Sequence, residues 1–268
     1  MATYNWSTVL PFSIASVIEQ TFTDFELLVV GDACTDDSER VVAEIGDPRV
    51  RWINLPTRSG HQSGPNNEGI RQARGEFIAY LGHDDLWLPR HLEAMVTALA
   101  SADLAHSIVA VVSPNGHVAP WTLAPSGVAH RRTLPDRIGN WRNYRELVFA
   151  PDVDLWDRAL AAGAAFAYVP RLTAIKFPAS LRPDVYRERP CHEQQAWLAR
   201  IRTEPELEAT LLAKMVALRQ LKPQSFAMRF ARLLIRPWRW PAALWRRMPG
   251  QKGAAIRRTR RFKGVVDA

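Results

Sequence analysis

Cysteine is scarce in this 268-residue chain, which contains only Cys34 and Cys191. Two isolated cysteines supply neither a disulfide framework nor the paired spacing of a zinc site, and their scarcity is typical of a protein in a reducing cytosol. No apolar run approaches the length of about 18 residues that a membrane-spanning helix needs. No basic segment followed by an apolar stretch opens the chain, so we expect neither a transmembrane helix nor a signal peptide.

Acidic residues are almost absent from the C-terminal part. Residues 229–268 contain 12 of the 35 Lys and Arg residues and a single acid, Asp267, so the rest of the chain is slightly acidic although the net charge is +8. Arg alternates there with Phe, Leu, Ile and Trp, a composition typical of a helix on an anionic membrane surface. Two alternatives stay open: a helix packed on the body of the protein with a disordered basic end, and a nucleic-acid-binding segment.

Helical and strand-like patterns alternate along the first 112 residues. Apolar runs typical of buried strands lie at 26–31, 50–55, 76–81 and 108–112. The segments between them carry apolar residues at helical spacing. This alternation predicts an α/β fold with a mostly parallel central sheet flanked by helices. Residues 113–139 are rich in Pro, Gly and His and predict loops or a hairpin, and further helices and a late strand at 165–170 follow.

Acidic clusters follow two of the predicted strands. GDACTDD begins at Gly31 and GHDD ends at Asp85. The carboxyl ends of parallel strands meet at one edge of a sheet, where such folds bind ligands, so we expect both loops at that edge. Adjacent carboxylates repel each other unless a cation lies between them, and a divalent metal accepts oxygen ligands of this kind. The alternative for Asp84 and Asp85 is a cap on the helix that starts near Pro89.

Three stretches, in order, resemble the nucleotide-sugar domain of family 2 glycosyltransferases, which have the GT-A fold. They are TYN from Thr3, SVIEQTFTDFELLVVGDACTDDSERVV from Ser16 and NNEGIRQARGEFIAYLGHDDLWLPRHLEAMV from Asn66. The later APDVDLW, at 150–156, resembles the stretch that carries the catalytic base of this family. The resemblance runs from residue 3 to about residue 180. It implies a nucleoside diphosphate sugar as donor and a glycan or lipid-linked acceptor.

The resemblance also implies roles for individual residues. The donor contacts that it implies are Tyr4, Asn5, Asp32, Asn67 and Asp84. Asp85 matches the last acid of the Asp-x-Asp motif of the family, which implies that it ligates Mg²⁺ or Mn²⁺. The family's first strand should precede Tyr4, yet almost none of it is present, so we expect either a start further upstream or a truncated relative.

Five positions depart from the pattern of the family, and two of them, Gly31 and Pro151, stand where an acid is usual. Gly82 replaces a frequent Asp, and Asn66 stands where Arg is common, so that Arg58 or Arg71 becomes the candidate substitute. His83 is unusual as well; it either touches a phosphate or faces solvent.

Asp152 in APDVDLW matches the catalytic base, which deprotonates the acceptor hydroxyl in an inverting transfer. The alternative for Asp152 is a helix cap, which is the role that we expect for Asp154. Trp141 and Trp156 either stack on an acceptor sugar or belong to the core.

We therefore predict a GT-A domain over residues 1–200, with a donor part at 1–112 and an acceptor part at 113–200. A helical extension at 201–268 would follow, with a basic tail on the membrane surface. The predicted function is sugar transfer to a cell-envelope polysaccharide or glycolipid, in the cytoplasm at the inner face of the membrane and without a nucleic-acid partner. The alternatives are a truncated, inactive relative and a basic adaptor that binds a membrane or nucleic acid.

Overall fold

The computed structural model of the protein describes residues 1–220 and 254–264. Most of the basic tail, on which the predictions of membrane or nucleic-acid binding depend, lies in residues 221–253 and therefore outside the described residues. Within the two described ranges, no helix combines the length and the apolar character needed to cross a bilayer.

A three-stranded parallel sheet forms the N-terminal half of the fold. Its strands are β1 Ala2–Thr3, β2 Leu27–Gly31 and β3 Val50–Asn54, with β2 in the middle. The helices of this half are α1 Leu10–Ile18, α2 Ser38–Glu44 and α3 Ser63–Gln72. Every residue of β2 is buried, as expected for a strand with a neighbour on each side and helices on both faces. The parallel arrangement predicted from the alternating pattern is present in this half.

The first strand is short, as the sequence predicts. β1 has two residues, which pair with β2 in the register Ala2 to Val30. Ala2 also forms a parallel bridge with Gly82, directly after the fourth strand. The short strand therefore joins the three-stranded sheet to the second sheet of the fold.

The second sheet is mixed. Its strands are β4 Phe77–Ala79, β5 Leu86–Trp87, β6 Leu104–Val112, β7 Val118–Thr122, β8 Val128–Arg131 and β9 Phe166–Lys176. They lie in the order β4-β8-β6-β9-β5, with β7 also paired to β6. β6 and β9 are parallel, whereas the other pairs are antiparallel. β7 is antiparallel to β6 because the chain turns back directly after β6, where the Pro- and Gly-rich region forms the predicted hairpin.

The remaining helices cover the second sheet and the end of the chain. They are α4 His91–Leu99, α5 Leu134–Ile138, α6 Pro151–Ala161, α7 Val185–Glu188, α8 His192–Thr203, α9 Leu207–Gln220 and the C-terminal helix Ala254–Phe262. Leu211 and Met215 of α9 are buried in one apolar cluster with Leu172 and Ile175 of β9. The first part of the predicted extension thus shares the core of the body.

Trp141 and Trp156 belong to the core. They are 3% and 5% exposed and pack in one apolar cluster with Tyr80 and Leu155. The indole nitrogen of Trp141 donates to the Tyr80 hydroxyl over 3.0 Å. Of the two roles that the sequence left open for these residues, the structure shows the packing role.

Candidate active site

A cavity of about 540 Å³ lies beyond the carboxyl ends of the strands. Asp32 after β2, Asp84 after β4 and Asp152 in the first turn of α6 all line it. These three acids come from three separate stretches of sequence, and the fold brings them to one cavity. The two acidic loops thus meet at one cavity through Asp32 and Asp84, although β2 and β4 belong to two different sheets.

Asp32 orders the loop that follows β3. The side chain is 4% exposed, and its Oδ1 accepts hydrogen bonds from the backbone N–H and the hydroxyl of Ser59, each over 2.7 Å. Its Oδ2 accepts from the N–H of Gly60 over 2.8 Å. A carboxylate that accepts several N–H and O–H donors fixes the position of their loop. Asp32 thus shapes the wall of the cavity as well as lining it.

Tyr4 and Arg58 form a second part of the wall. The guanidinium carbon of Arg58 lies 4.0 Å from the centre of the Tyr4 ring, a cation–π contact, and both residues line the cavity. Arg58 is one of the two candidates to replace the arginine that the sequence lacks at position 66. The other candidate, Arg71, forms an exposed ion pair with Glu68 on α3.

Asn5 and Asn67 are not among the residues that line the cavity. The amide of Asn5 bonds to Thr35, accepting from its N–H over 2.8 Å and donating to its hydroxyl over 3.2 Å. Asn67 makes a similar pair of bonds with the backbone of Trp141, over 3.0 and 2.9 Å. Both amides are occupied in holding loops together, so the structure gives them a supporting position beside the cavity.

Asp85 is buried below the cavity rather than on its wall. Its side chain is fully buried and accepts from Lys176 Nζ over 2.8 Å, from the N–H of Phe177 over 3.1 Å and from the Ser126 hydroxyl. It does not cap α4, which begins at His91. Burial alone would lower the pKa of Lys176, but Asp85 and Asp84 outweigh it and raise that pKa. Asp85 and Lys176 therefore form a charged, buried ion pair at the end of β9.

Asp84 is the carboxylate of this loop that faces the cavity. It is half-buried, and burial together with the neighbouring Asp85 raises its pKa. A side chain at Gly82 would place its Cβ 2.8 Å from Asp85 Oδ2, so this arrangement leaves no room for the Asp that is frequent there in the family. Among the residues that the structure describes, no group of three or more Asp, Glu, His or Cys could hold a metal ion by itself.

Asp152 is the second residue of α6, directly after Pro151. Residue 150 occupies the N-cap position, so Asp152 does not cap the helix. Burial raises the pKa of the Asp152 carboxyl, opposed by nearby backbone N–H groups and by Lys176. Asp154, predicted as a cap, instead forms an ion pair with Arg158 over 2.9 Å. Asp152 is thus a half-buried carboxylate with raised proton affinity on the cavity wall.

Three further residues of the cavity are absent from the site predicted from the sequence. His83 is 5% exposed; its Nδ1 lies 2.8 Å from the Thr3 hydroxyl and its Nε2 lies 3.3 Å from the Tyr186 hydroxyl, so it does not face solvent. Burial lowers the pKa of His83, which keeps the ring neutral near pH 7. Lys176 was missed although it is the single charge in the apolar stretch LTAIKF, a signal that could have identified it. Lys263 belongs to the basic tail, where no pattern separated it from its neighbours.

Two exposed aromatic side chains line the cavity near Asp152. Trp121 of β7 is 45% exposed and Phe149 is 55% exposed, although large aromatic residues are usually far more buried. They line the same cavity as Asp152, and we call these three residues the aromatic side of the cavity.

Comparison with known proteins agrees with the geometry of the cavity. The family model described as Glycosyl transferase family 2 matches residues 1–154. The UDP-Glc:alpha-D-GlcNAc-diphosphoundecaprenol beta-1,3-glucosyltransferase WfgD of Escherichia coli is 28% identical over 136 residues, 50% of this chain and 53% of that protein. The chain spans about half the length of the curated relatives that it matches.

Solved structures show the same fold. TarS 1–349 of S. aureus in complex with UDP-GlcNAc superposes with a TM-score of 0.59 at 20% identity, covering 80% of this chain and 68% of that one. The mannosyltransferase PcManGT of Pyrobaculum calidifontis, in complex with GDP-Man and Mn²⁺, gives a TM-score of 0.52 at 16% identity, covering 96% and 84%. The predicted GT-A fold is confirmed by these similarities.

Proposed function

Because the chain belongs to glycosyl transferase family 2, we propose that its cavity binds a nucleoside diphosphate sugar and transfers the sugar to a glycan acceptor. The observation that carries this proposal is the meeting of Asp32, Asp84 and Asp152 in one cavity. The structures of TarS with UDP-GlcNAc and of PcManGT with GDP-Man support a nucleotide sugar as the donor class.

The donor lies, in this proposal, across the carboxyl ends of β1 and β2. Tyr4, with Arg58 on one face of its ring, and the loop that Asp32 orders form the wall for the nucleoside. Lys176 supplies a fixed positive charge at the end of β9, where the diphosphate would lie close to Asp84. Apart from Lys176, the donor part would correspond to residues 1–112 and the acceptor part to 113–200.

A metal ion, Mg²⁺ or Mn²⁺, fits Asp84 rather than Asp85. Three donors already occupy the Asp85 carboxylate, whereas the carboxylate of Asp84 accepts no hydrogen bond within residues 1–220 and 254–264. Mg²⁺ is commonly held by one or two carboxylates together with substrate phosphates. When bound, such an ion would neutralise charge on the diphosphate. The Mn²⁺ in the PcManGT complex supports this assignment.

Asp152 would act as the catalytic base. As the acceptor oxygen attacks the anomeric carbon, the bond between that carbon and the diphosphate oxygen breaks and its electron pair leaves with the diphosphate. The proton of the acceptor hydroxyl passes to Asp152, whose raised pKa makes it a stronger base than an exposed carboxylate. Attack from the face opposite the diphosphate inverts the anomeric configuration.

The acceptor would bind at the aromatic side of the cavity. Aromatic rings contact the apolar faces of sugars, and Trp121 and Phe149 are exposed beside the proposed base. WfgD acts on a sugar linked to diphosphoundecaprenol, which supports a lipid-linked glycan of the cell envelope as the acceptor class. An acceptor of this kind would place the enzyme at the inner face of the membrane.

Replacement of Trp121 by Ala is expected to raise the KM for the acceptor about 5-fold, because one aromatic contact is worth on the order of 1 kcal/mol. The Kd for the donor should stay unchanged, since Trp121 is not among the residues proposed to contact the donor. Steady-state kinetics with varied acceptor, beside donor titration, measures both. Tyr168→Ala is the matched control, because this ring is 52% exposed but does not line the cavity. An unchanged acceptor KM would remove Trp121 from the acceptor site.

A transfer assay tests the proposed function as a whole. UDP- and GDP-sugars carrying a radiolabelled sugar are incubated with the protein and a lipid extract of bacterial membranes, and label in the lipid phase is counted. Transfer from one donor class is expected, and it should be lost in Asp152→Asn. If the wild-type protein gives no counts above a sample without protein for any donor, the transferase proposal fails.

A further inference from the structure

The described end of the basic tail is part of the cavity wall. Ile256, Thr259 and Arg260 of the C-terminal helix line the cavity, and so does Lys263 directly after it. This placement differs from the predicted position of the tail on a membrane surface, but it concerns only residues 254–264.

Backbone hydrogen bonds attach this end to the body. The N–H of Asp184 donates to the carbonyl of Phe262 over 3.0 Å, and the N–H of Tyr186 donates to the carbonyl of Lys263 over 2.9 Å. Gly264 follows with a φ of +78°, and a Cβ there would lie 3.3 Å from the Cα of Asp184. The left-handed turn and the close approach both favour glycine at this position. Main-chain hydrogen bonds from Asp184 and Tyr186, which flank the first residue of α7, therefore hold Lys263 at the cavity.

Lys263 brings an ammonium group close to the proposed diphosphate position. Asp84, Lys176 and Arg260 are all near enough to act on its pKa, which burial lowers and the two cations lower further, against the opposing effect of Asp84. Its ammonium makes no ion pair or hydrogen bond within the described ranges of the chain. A half-buried cation without a partner is costly, and an anion in the cavity would offset that cost.

The charges around the cavity favour a phosphate group as this anion. Asp32 is occupied by the loop that it orders, and Asp85 is neutralised by Lys176. Lys263 and Arg260 add positive charge to the cavity wall beyond that of Lys176, which already pairs with Asp85. Lysine binds phosphate as a point charge, and positive side chains on the wall match the charge of a diphosphate better than that of a neutral sugar.

We propose that Lys263 binds the diphosphate of the nucleotide-sugar donor, so that the C-terminal segment completes the donor site. The inference rests on the proposed function and adds a residue that the family model, which ends at residue 154, does not reach. As the bond from the anomeric carbon to the diphosphate oxygen breaks, negative charge grows on the diphosphate. A positioned ammonium group stabilises that charge and the transition state with it.

The test compares Lys263→Met with Lys263→Arg in the full chain. Isothermal titration with UDP and GDP, and with UMP and GMP, measures the affinities. We expect Lys263→Met to weaken diphosphate binding about 10-fold or more, as for loss of a charge-assisted hydrogen bond. Monophosphate binding should change less than about 2-fold, and Lys263→Arg should retain most of the diphosphate affinity. Arg257→Ala removes a charge from the same helix away from the cavity and should bind like the wild type.

The outcomes separate the inference from the proposed function. If wild-type protein binds UDP or GDP and Lys263→Met binds it equally well, Lys263 is not a diphosphate ligand. Equal loss of mono- and diphosphate binding, together with a lower Tm, would assign Lys263 a purely structural role and overturn the inference. If wild-type protein binds neither nucleotide, the donor assignment itself fails.

A second measurement does not depend on a folded variant. Acetylation of Lys263 by acetic anhydride in the wild-type protein is followed by mass spectrometry with and without saturating UDP or GDP. Protection of Lys263 by the nucleotide that binds is expected, with Lys214 on α9 as an exposed internal control. Equal labelling of Lys263 in both samples would contradict the inference.

Discussion

Replacement of Asp152 by Asn is expected to lower the turnover number about 10²- to 10⁴-fold, the usual range for loss of a general base. The amide is nearly isosteric with the carboxylate but cannot accept the acceptor proton. Since Asp152 is proposed to touch the acceptor hydroxyl and not the nucleotide, the donor Kd should change little. Initial rates at saturating donor and acceptor, with donor titration of the same preparation, measure the two effects separately.

The matched control for this prediction is Asp157→Asn. Asp157 lies on the same helix and carries the same charge, but its side chain is exposed and does not line the cavity. We expect wild-type turnover from it. Asp152→Asn with a turnover within about 3-fold of the wild type would show that another group accepts the proton.

The pH profile gives an independent check on Asp152. Burial raises the pKa of this carboxyl above the ordinary Asp value of about 3.9. A base works only when deprotonated, so the rate should be full above the raised pKa and should fall as the pH drops through it. The acidic limb of the kcat profile should therefore lie at higher pH than the titration of an exposed Asp, and it should disappear in Asp152→Asn. An acidic limb that is unchanged in the variant would belong to a different group.

Replacement of Lys176 by Met is expected to destabilise the protein by about 3–5 kcal/mol, because it leaves the fully buried Asp85 carboxylate without its cation. For a domain of this size such a loss lowers Tm by about 10 °C. Urea or thermal unfolding without nucleotide measures the effect, so that any role of Lys176 in donor binding does not contribute. Lys214→Met, at an exposed position on α9, is the control and should leave Tm nearly unchanged.

The double variant Asp85→Asn/Lys176→Met distinguishes an ion pair from simple packing. Removing the second charge as well abolishes the unpaired carboxylate, so the double variant should be more stable than Lys176→Met alone by at least about 1 kcal/mol. If the double variant is as unstable as the sum of the two single variants, the buried pair is not the reason for the destabilisation.

The adjacent acids Asp84 and Asp85 show the limit of what could be predicted from the sequence. The motif predicted an acidic loop at the sheet edge, and the loop lies there. The sequence does not, however, distinguish which of the two adjacent aspartates faces a ligand. The difference arises from Lys176, which lies 91 residues after Asp85 in the sequence and forms a buried ion pair with it. The resemblance implied Asp85 as the metal ligand, whereas we propose Asp84, which lines the cavity.

The parallel half of the fold was the most predictable part. The run that became β2 is apolar at each position because both of its faces are covered, and such a run identifies a central strand directly. The mixed sheet was less predictable, since pairing direction depends on where β7 and β8 return rather than on their own composition. Asn5 shows the same limit. The resemblance implied a donor contact for it, but its amide oxygen accepts a hydrogen bond from the backbone N–H of Thr35.

Lys263 was not predictable for a related reason. The tail contains 12 basic residues, and composition alone favoured a membrane surface for all of them. Only the main-chain contacts of this segment with Asp184 and Tyr186 separate Lys263 from the rest. Contacts that join residues about 80 positions apart leave no local pattern in a sequence.

The most direct test of the account is the binding of nucleoside diphosphate sugars to the cavity. Wild-type protein and Asp84→Asn are titrated with a panel of UDP- and GDP-sugars, with and without Mn²⁺, and heat release is recorded. We predict saturable binding of one nucleotide class by the wild type, strengthened by Mn²⁺, and loss of that strengthening in Asp84→Asn. Absence of binding by the wild type to every member of the panel in both metal conditions would contradict it.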